Sequence, residues 1–318
     1  MSAQIKKATR DSYGEALVEL YKENPDIAVL DADLAEATKT IFFKKAYPDR
    51  HFDCGIQEAN MMGVAAGMAS TGKKVFASTF AMFAAGRAYE IVRNSIGYPR
   101  LNVKIGATHA GISVGEDGAS HQCNEDIALM RAIPGMTIFN PADDVEAKAA
   151  VKAALEIDGP VYMRFGRLAV PVFNDAATYK FEPGKGVLLR GGGADDNLTI
   201  IATGLMVNEA LSAAEILGSD GIKARVINIH TIKPLDKEII CAAAKDTGLI
   251  VTAEEHSIIG GLGAAVAEVV TDCCPVPVVK IGVNDVFGHS GPALELLKEF
   301  GLTSENIALK SKLALKLK

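Results

Sequence analysis

The sequence of 318 residues has no tryptophan, only five cysteines, and no apolar run long enough to span a membrane. The cysteines stand at positions 54, 123, 241, 273 and 274, and they show no C-x-x-C spacing. An odd number with such spacing fits a reducing compartment better than a disulfide framework or a zinc site. Residues 1–17 also contain no apolar segment typical of a signal peptide. We therefore expect a cytoplasmic protein.

The chain also has no excess of basic residues. The chain has 33 lysines and arginines against 39 acidic residues, which gives a formal net charge of −6. Nucleic acids and anionic membranes attract basic surfaces, so the charge argues against both as partners. Apolar residues make up 49% of the chain, enough for a sizeable core, and the length suits two domains.

Short apolar runs alternate with helix-like stretches from end to end, which predicts an α/β fold. The runs are continuously apolar, as in parallel sheets that are covered on both faces. The predicted strands are residues 26–33, 73–79, 101–109, 136–142, 160–165, 198–204, 222–230, 247–255 and 276–283, and the clearest helices are 57–72 and 143–156. A polar, glycine-rich stretch at 191–197 looks like a boundary. We predict two open parallel-sheet domains, 1–185 and 186–318.

The stretch THAGISVGEDGASHQ, residues 108–122, combines two histidines, two acids and three glycines. It follows a predicted strand, and ligands of open parallel sheets bind beyond the carboxyl ends of the strands. Imidazoles and carboxylates can bind hydroxyls and relay protons, so His109, Asp117 and His121 are candidate substrate-binding residues. The alternative is a solvated loop with incidental histidines. Metal binding is not indicated, because zinc ligands usually stand in tighter pairs or include cysteine.

Other stretches offer further candidates, each with a plainer alternative. Glu58 begins a small-residue, apolar helix, where it is either a helix-capping acid or a buried carboxylate that needs a partner. Phe80 and Phe83 follow a strand and form either core or an aromatic wall for a flat ring. Arg167 is either a surface charge or a fork for phosphate. Residues 260–268 lack G-x-G-x-x-G spacing and a Walker lysine, which predicts a tightly packed helix start.

Taken in this order, the stretches resemble the C-terminal half of transketolases, which are thiamine-diphosphate enzymes. The most specific part is T-H-x5-G-E-D-G-x-x-H-Q at 108–122, supported by STF at 78–80 and GPVYMRFGR at 159–167. The resemblance covers essentially the whole chain. It implies a pyrimidine-binding domain, then a transketolase C-terminal domain. The implied reaction transfers a two-carbon ketol unit from a ketose phosphate to an aldose phosphate, as in the pentose phosphate pathway.

The resemblance also implies which residues meet the cofactor. Glu58 matches the glutamate that hydrogen-bonds the aminopyrimidine of thiamine diphosphate and promotes loss of its reactive proton, a catalytic role. Phe80 and Phe83 match the aromatic pocket around that ring, where stacking excludes water. Asp33 matches an acid near the cofactor and the mouth of the active site.

The implied substrate residues lie mostly in the polar loop. His109 and His121 match residues that contact phosphate and sugar hydroxyls, and His121 is also a catalytic candidate. Asp117 matches a residue that binds the C2 hydroxyl of the donor. Arg167 and, less clearly, Arg10 match a phosphate clamp.

Two departures from the family pattern bear on the substrate. Ala37, next to Thr38, stands where the family usually has a phosphate-contacting serine. The usual second tyrosine of the aromatic pocket is replaced near Gly86. Both departures leave the preferred sugar open.

A larger departure is the lack of the GDG…N motif, through which the family anchors the diphosphate by a divalent metal in an N-terminal domain. Since the chain begins at the second domain with its own methionine, we expect a split enzyme. An N-terminal-half subunit then holds the Mg²⁺ and the diphosphate. No residue of this chain is expected to bind metal. We expect an α2β2 heterotetramer that includes a homodimer contact.

Three alternatives stay open at this point. A split relative of 1-deoxyxylulose-5-phosphate synthase shares a GxDGxxHQ loop but resembles "DR" where this chain has Thr108 and His109. The β subunit of a 2-oxo acid dehydrogenase has similar length without a comparable GEDGxxHQ loop. A non-catalytic regulatory subunit of the same fold is disfavoured by the presence of Glu58 together with the whole loop.

Overall fold

The computed structural model describes residues 5–318, which contain three β-sheets flanked by helices. The strands are β1 (Lys6–Ala8), β2 (Ile27–Asp31), β3 (His51–Asp53), β4 (Lys74–Phe80), β5 (Val103–Thr108), β6 (Thr137–Phe139), β7 (Val161–Arg164), β8 (Ala169–Pro171), β9 (Val187–Arg190), β10 (Leu198–Ala202), β11 (Ala224–Asn228), β12 (Thr231–Lys233), β13 (Ile250–Ser257) and β14 (Val278–Val283). Every strand predicted from an apolar run is present, so the α/β prediction is confirmed.

The helices lie between the strands, in the alternation that the sequence predicts. They are α1 (Thr9–Tyr21), α2 (Ala35–Thr38), α3 (Ile41–Ala46), α4 (Glu58–Ser70), α5 (Tyr89–Ile91), α6 (Asp126–Arg131), α7 (Asp144–Glu156), α8 (Met206–Ser219), α9 (Lys237–Thr247), α10 (Leu262–Cys273), α11 (Ala293–Glu299) and α12 (Ser304–Ala314). Side-chain caps fix some of their starts: the Asp143 carboxylate accepts a hydrogen bond from the Glu146 amide at 2.9 Å.

The first sheet has seven strands in the order β12-β6-β7-β5-β4-β2-β3, and only the β12–β6 pair is antiparallel. Every residue of β2, β5 and β7 is buried, which explains their largely apolar character. One core packs α4 and the segment after β4 against the sheet, and a second core packs α1 and α7 on it. Both faces are therefore covered, and the loops at the carboxyl edge are left for a site.

The second sheet has five strands in the order β14-β13-β10-β11-β9, with only β9 antiparallel. The glycine-rich stretch 191–197 connects β9 to β10 inside this sheet, so it does not separate the two sheets. The strand β12 also follows β11 in the chain but pairs with β6 of the first sheet. A small antiparallel pair, β1–β8, completes the set.

Cys241 on α9 and Cys273 on α10 form a disulfide, which departs from the expectation of a chain without a disulfide framework. The two residues are 32 positions apart, and their Cα atoms lie 6.0 Å apart because α9 and α10 pack side by side. Sequence spacing carries no information about such a contact. Among the described residues, Cys54, Cys123 and Cys274 are free.

Within the described part of the chain, every helix is too short or too polar to cross a lipid bilayer.

Candidate active site

Glu58 is the first residue of α4, and only 3% of it is exposed. Its Oε2 atom is buried and makes no hydrogen bond to any described residue, while the Arg87 Nε atom lies 3.9 Å away. The helix dipole favours an acid at this place, but a buried oxygen without a donor is costly. Glu58 therefore offers an acceptor to a bound molecule, and it is more than a surface cap.

The two phenylalanines form one face of a cluster of rings at the carboxyl end of β4. The rings of Phe80 and Phe83 are stacked, with centroids 5.8 Å apart and planes 10° apart. His109 stacks on Phe80 at 3.9 Å, and His121 lies edge-on to Phe83 at 5.4 Å. The polar loop and the carboxyl end of β4 thus meet at these stacked rings.

The polar loop, which we call the substrate loop and define as residues 111–122, is partly internal. A 3₁₀ helix spans Ile112–Asp117, and its residues 112–115 are buried, which argues against the alternative of a loop lying in solvent. Asp117 is exposed at its end. The His121 Nδ1 atom lies 2.9 Å from the Ser120 hydroxyl, so the ring nitrogen Nε2 is left for other contacts.

His109 is buried directly before this loop, with a left-handed φ of 56° that bulky residues seldom adopt. Its Nε2 atom lies 2.9 Å from the Arg10 guanidinium, and its Nδ1 atom lies 3.0 Å from the Thr108 hydroxyl. Burial, followed by the positive charges of Arg10, Arg167 and Lys39, lowers the pKa of His109 to about 3. The ring is therefore neutral at physiological pH.

Arg167 lies beside the loop and donates hydrogen bonds to the Val114 carbonyl and, at 2.6 Å, to the Glu116 carboxylate. Its side chain is about one-third exposed. Arg10 and Arg167 are close enough for their charges to interact. The two arginines therefore make the region around His109 strongly positive, as an anion site requires.

Ala37 contributes only its backbone here, because its carbonyl accepts a hydrogen bond of 3.1 Å from Arg10. The neighbouring Thr38 hydroxyl donates to the buried Asp31 carboxylate at 2.7 Å and so points away from the loop surface. Thr38 therefore does not replace the serine that the family pattern has at position 37.

Asp33 lies on the exposed turn after β2, and its backbone amide donates to the Asp53 carboxylate at 3.0 Å. With Ala37, Lys44 and Asp53 it lines an open cavity of about 340 Å³. The structure gives Asp33 no contact with the ring cluster among the described residues. Its assignment to the cofactor stays a prediction.

Comparisons with known proteins identify the family of the chain. The family described as "Transketolase, pyrimidine binding domain" matches residues 5–172, and "Transketolase, C-terminal domain" matches residues 184–307. A protein of Methanocaldococcus jannaschii described as a transketolase C-terminal section is 52% identical, over 96% of this chain and 95% of that protein.

The chain belongs to the transketolase family.

Two further relatives indicate which part of the family it resembles. A 6-deoxy-6-sulfo-D-fructose transketolase subunit of Clostridium sp. MSTE9 is 45% identical, over 94% of this chain and 91% of that subunit. A split-gene transketolase solved as an inactive β4 tetramer has a TM-score of 0.89 and 54% identity, over 98% of this chain and 99% of that one. The chain thus corresponds to the C-terminal subunit of split transketolases, and the predicted resemblance is confirmed. The domain division at 185 and 186 stays a prediction.

Several residues of this candidate site were not singled out in the sequence analysis. Lys39 adds positive charge near His109, Glu116 pairs with Arg167, Thr108 binds His109, and Arg87 approaches Glu58. Glu116 and Thr108 stood inside the quoted motif and could have been singled out there. The other two approach the site only through folding.

No group of three or more histidine, cysteine, aspartate or glutamate side chains in residues 5–318 is arranged to hold a metal ion.

Proposed function

We propose that this chain is the C-terminal subunit of a thiamine-diphosphate-dependent transketolase, which transfers a two-carbon ketol unit from a ketose phosphate to an aldose phosphate. The observation that carries the proposal is the buried Oε2 atom of Glu58, which has no hydrogen-bond partner among the described residues. The stacked Phe80 and Phe83 rings add an apolar wall for a flat heterocycle. A carboxylate and an aromatic wall together suit an aminopyrimidine.

When bound, thiamine diphosphate supplies a carbon nucleophile that cleaves the ketose next to its carbonyl group. Glu58 accepts a hydrogen bond from the aminopyrimidine and keeps the ring in its reactive tautomer. Phe80 and Phe83 exclude water from that ring. His121, with its Nδ1 atom held by Ser120, presents Nε2 to hold or move a proton of a substrate hydroxyl.

The anionic end of the sugar would be bound by Arg10 and Arg167, whose positive charges both act on the neutral His109. Arg167 is paired with Glu116 in this structure, so a substrate phosphate competes with that carboxylate for the guanidinium. Asp117, which is exposed at the end of the 3₁₀ helix, accepts hydrogen bonds from sugar hydroxyls. One relative is named for 6-deoxy-6-sulfo-D-fructose, so a sulfonate belongs among the anions to test.

A partner subunit completes the site in this proposal. The N-terminal-half subunit holds Mg²⁺ and the diphosphate, and it lies against the outer face of α4, since Glu58 begins that helix. On that face Gly63, Val64 and Gly67 are exposed, and a β-carbon at either glycine meets no atom of this chain within 4 Å. We propose an α2β2 heterotetramer in the cytoplasm, with a homodimer contact between copies of this chain.

The test is to co-purify the chain with its N-terminal-half partner and to assay ketol transfer with thiamine diphosphate and Mg²⁺. The donors are ketose phosphates, the sulfonated ketose, and the unphosphorylated hydroxypyruvate. Turnover that requires both subunits supports the proposal. Condensation of pyruvate with an aldose phosphate would instead indicate the synthase alternative. Absence of turnover with every donor, despite cofactor binding, would indicate the regulatory alternative.

A further inference from the structure

The strand β13 of the second sheet carries two adjacent buried glutamates, Glu254 and Glu255, which are 0% and 3% exposed. Neighbouring side chains of a strand point to opposite faces. Glu254 serves its own domain, because its two carboxylate oxygens accept the Leu262 and Gly263 amides at 2.6 and 2.8 Å at the start of α10. Those contacts explain why the glycine-rich segment there is a packed helix start and no phosphate loop.

Glu255 faces the other way, into the substrate loop of the first domain. Its Oε1 atom accepts a hydrogen bond of 2.6 Å from the Ser113 amide, in the first turn of the 3₁₀ helix. The carboxylate also fills the space beside Gly111, where a β-carbon would lie 2.3 Å from the Glu255 Cδ atom. The glycine therefore admits the carboxylate, and the carboxylate fixes the turn.

The backbone of β13 at Glu255 is held in turn by a buried ion pair, Arg164 with Asp126. Arg164 donates from Nη2 to the Glu255 carbonyl at 2.8 Å and from Nε to the Asp126 carboxylate at 2.9 Å. Both of these side chains are almost completely buried. Burial raises the pKa of the Glu255 carboxyl to about 7.

The C-terminal end of the substrate loop, at Gln122, also contacts the second domain. The Gln122 amide group donates to the Ile112 carbonyl at 3.1 Å and to the His289 carbonyl at 3.0 Å. The Val114 carbonyl, one residue after Ser113, accepts the hydrogen bond of Arg167. The second domain thus contacts the loop at both ends, through Glu255 and His289. The Glu255 contact lies next to the Val114 carbonyl that binds Arg167.

We propose that Glu255 is a positioning residue: the carboxylate of the C-terminal domain fixes the turn that places Asp117, His121 and Arg167 for the substrate. In this proposal Glu255 acts through Ser113 and not by contact with the substrate or the cofactor. Its effect on turnover rests on the function proposed above, whereas its effect on the loop does not.

Two variants separate a positioning role from a general ionic role. Glu255→Gln removes the charge but keeps an oxygen that can accept the Ser113 amide. Glu255→Asp keeps the charge but withdraws the oxygens by one methylene. Glu254→Asp is the matched control, since it changes an equally buried neighbour that caps α10 and does not contact the loop.

Hydrogen–deuterium exchange of the full chain in complex with its partner gives the readout that does not depend on activity. We expect Glu255→Asp to speed exchange in residues 111–122 by roughly tenfold or more, the scale of one lost charge-assisted hydrogen bond. Glu255→Gln should stay near the parent protein. Glu254→Asp should speed exchange near residues 261–266 and leave the loop unchanged.

Steady-state kinetics gives the second readout. Glu255→Asp should lower kcat/KM for the ketose donor by roughly ten- to a hundredfold with an unchanged Kd for thiamine diphosphate. Unchanged loop exchange in Glu255→Asp, or equal loop exchange in Glu254→Asp, would overturn the positioning role. If the parent complex has no ketol-transfer activity, the proposed function fails while the exchange result still decides this inference.

Discussion

Arg10 and His109 are in direct contact, with 2.9 Å between the guanidinium Nη1 atom and the imidazole Nε2 atom. A guanidinium only donates hydrogen bonds, so Nε2 must accept and the ring proton must sit on Nδ1. The Thr108 hydroxyl, 3.0 Å from Nδ1, then accepts that proton's hydrogen bond. Arg10 therefore sets the tautomer of His109 and presents its own remaining donors to an anion.

We expect nitrogen-resolved NMR to find His109 neutral, in the Nδ1–H tautomer, at every pH from 5 to 8. Its pKa lies at about 3 because the ring is buried and has positive neighbours. Arg10→Ala should raise that pKa. A His109 resonance of the parent protein that titrates near 6.5 would contradict the assignment.

The low pKa of His109 also makes the free energy of unfolding depend on pH. The unfolded chain takes up a proton on this histidine below about pH 6.5, and the folded chain does so only near pH 3. The contribution of His109 to the free energy of unfolding therefore falls as the pH drops from 6.5, by about 2 kcal/mol at pH 5. Urea unfolding of the parent and of His109→Asn should converge toward acid pH by an amount on this scale.

Glu58→Gln should lower kcat by roughly two to four powers of ten, because an amide cannot supply the charged partner of the ring nitrogen. The fold should be unchanged by circular dichroism. Glu90→Gln, an exposed acid on the nearby α5, is the control and should be near normal. Near-normal kcat in Glu58→Gln with cofactor bound would falsify the role of Glu58.

His121→Ala should impair the ketose donor more than the cofactor, since its free Nε2 atom is assigned to a substrate hydroxyl. The measurement compares kcat/KM for the donor with the Kd of thiamine diphosphate in the complex. A Kd that changes as much as kcat/KM would place His121 among the cofactor contacts.

Arg167→Ala should lower kcat/KM for phosphorylated donors by roughly ten- to several-hundredfold, because charged hydrogen bonds to phosphate are lost. Hydroxypyruvate does not reach that end of the site and should be little affected. Arg167→Lys should restore part of the loss, since an ammonium cannot form the fork. Equal losses with both donors would mean that Arg167 supports the loop, through Val114, without binding phosphate.

Gly63→Leu should leave the isolated chain folded and weaken its assembly with the N-terminal-half subunit by about tenfold or more, as expected when one bulky side chain disrupts an interface. A β-carbon at residue 63 meets no heavy atom within 4 Å beyond its neighbours and its own helix backbone. Lys152→Leu, on the exposed side of α7, is the control. Calorimetric titration of the two subunits checks both, and unchanged affinity in Gly63→Leu means that the partner lies elsewhere.

Much of the fold could be predicted from the sequence because strands buried on both faces of a parallel sheet are mostly apolar. β5 and β7 are examples, with every residue buried. β3 and β9 are partly exposed along their length and show no such buried run, and they were missed. The strand β12 was also missed; it follows β11 in the chain but pairs with β6 of the first sheet.

The site divides in a similar way. Glu58, the two phenylalanines and the loop histidines could be proposed because each stands at the start or end of a recognisable element. The contact between Glu255 and Ser113 could not, because it joins residues 142 positions apart. Nor does a sequence reveal that the Thr38 hydroxyl turns inward to Asp31, since that depends on how a short helix packs.

The pairing of β12 with β6 has a consequence for how the protein is made. The backbone of Thr231 and Lys233 covers the edge of β6, and the His230 carbonyl accepts the Asn140 amide at 2.8 Å beside it. On the ribosome, the first sheet therefore emerges with an open, apolar edge, and that edge is covered only after residue 233 has left the exit tunnel. Open edges of this kind recruit other strands and lead to aggregation. A fragment that stops at residue 185 lacks β12, so it leaves that edge of β6 open.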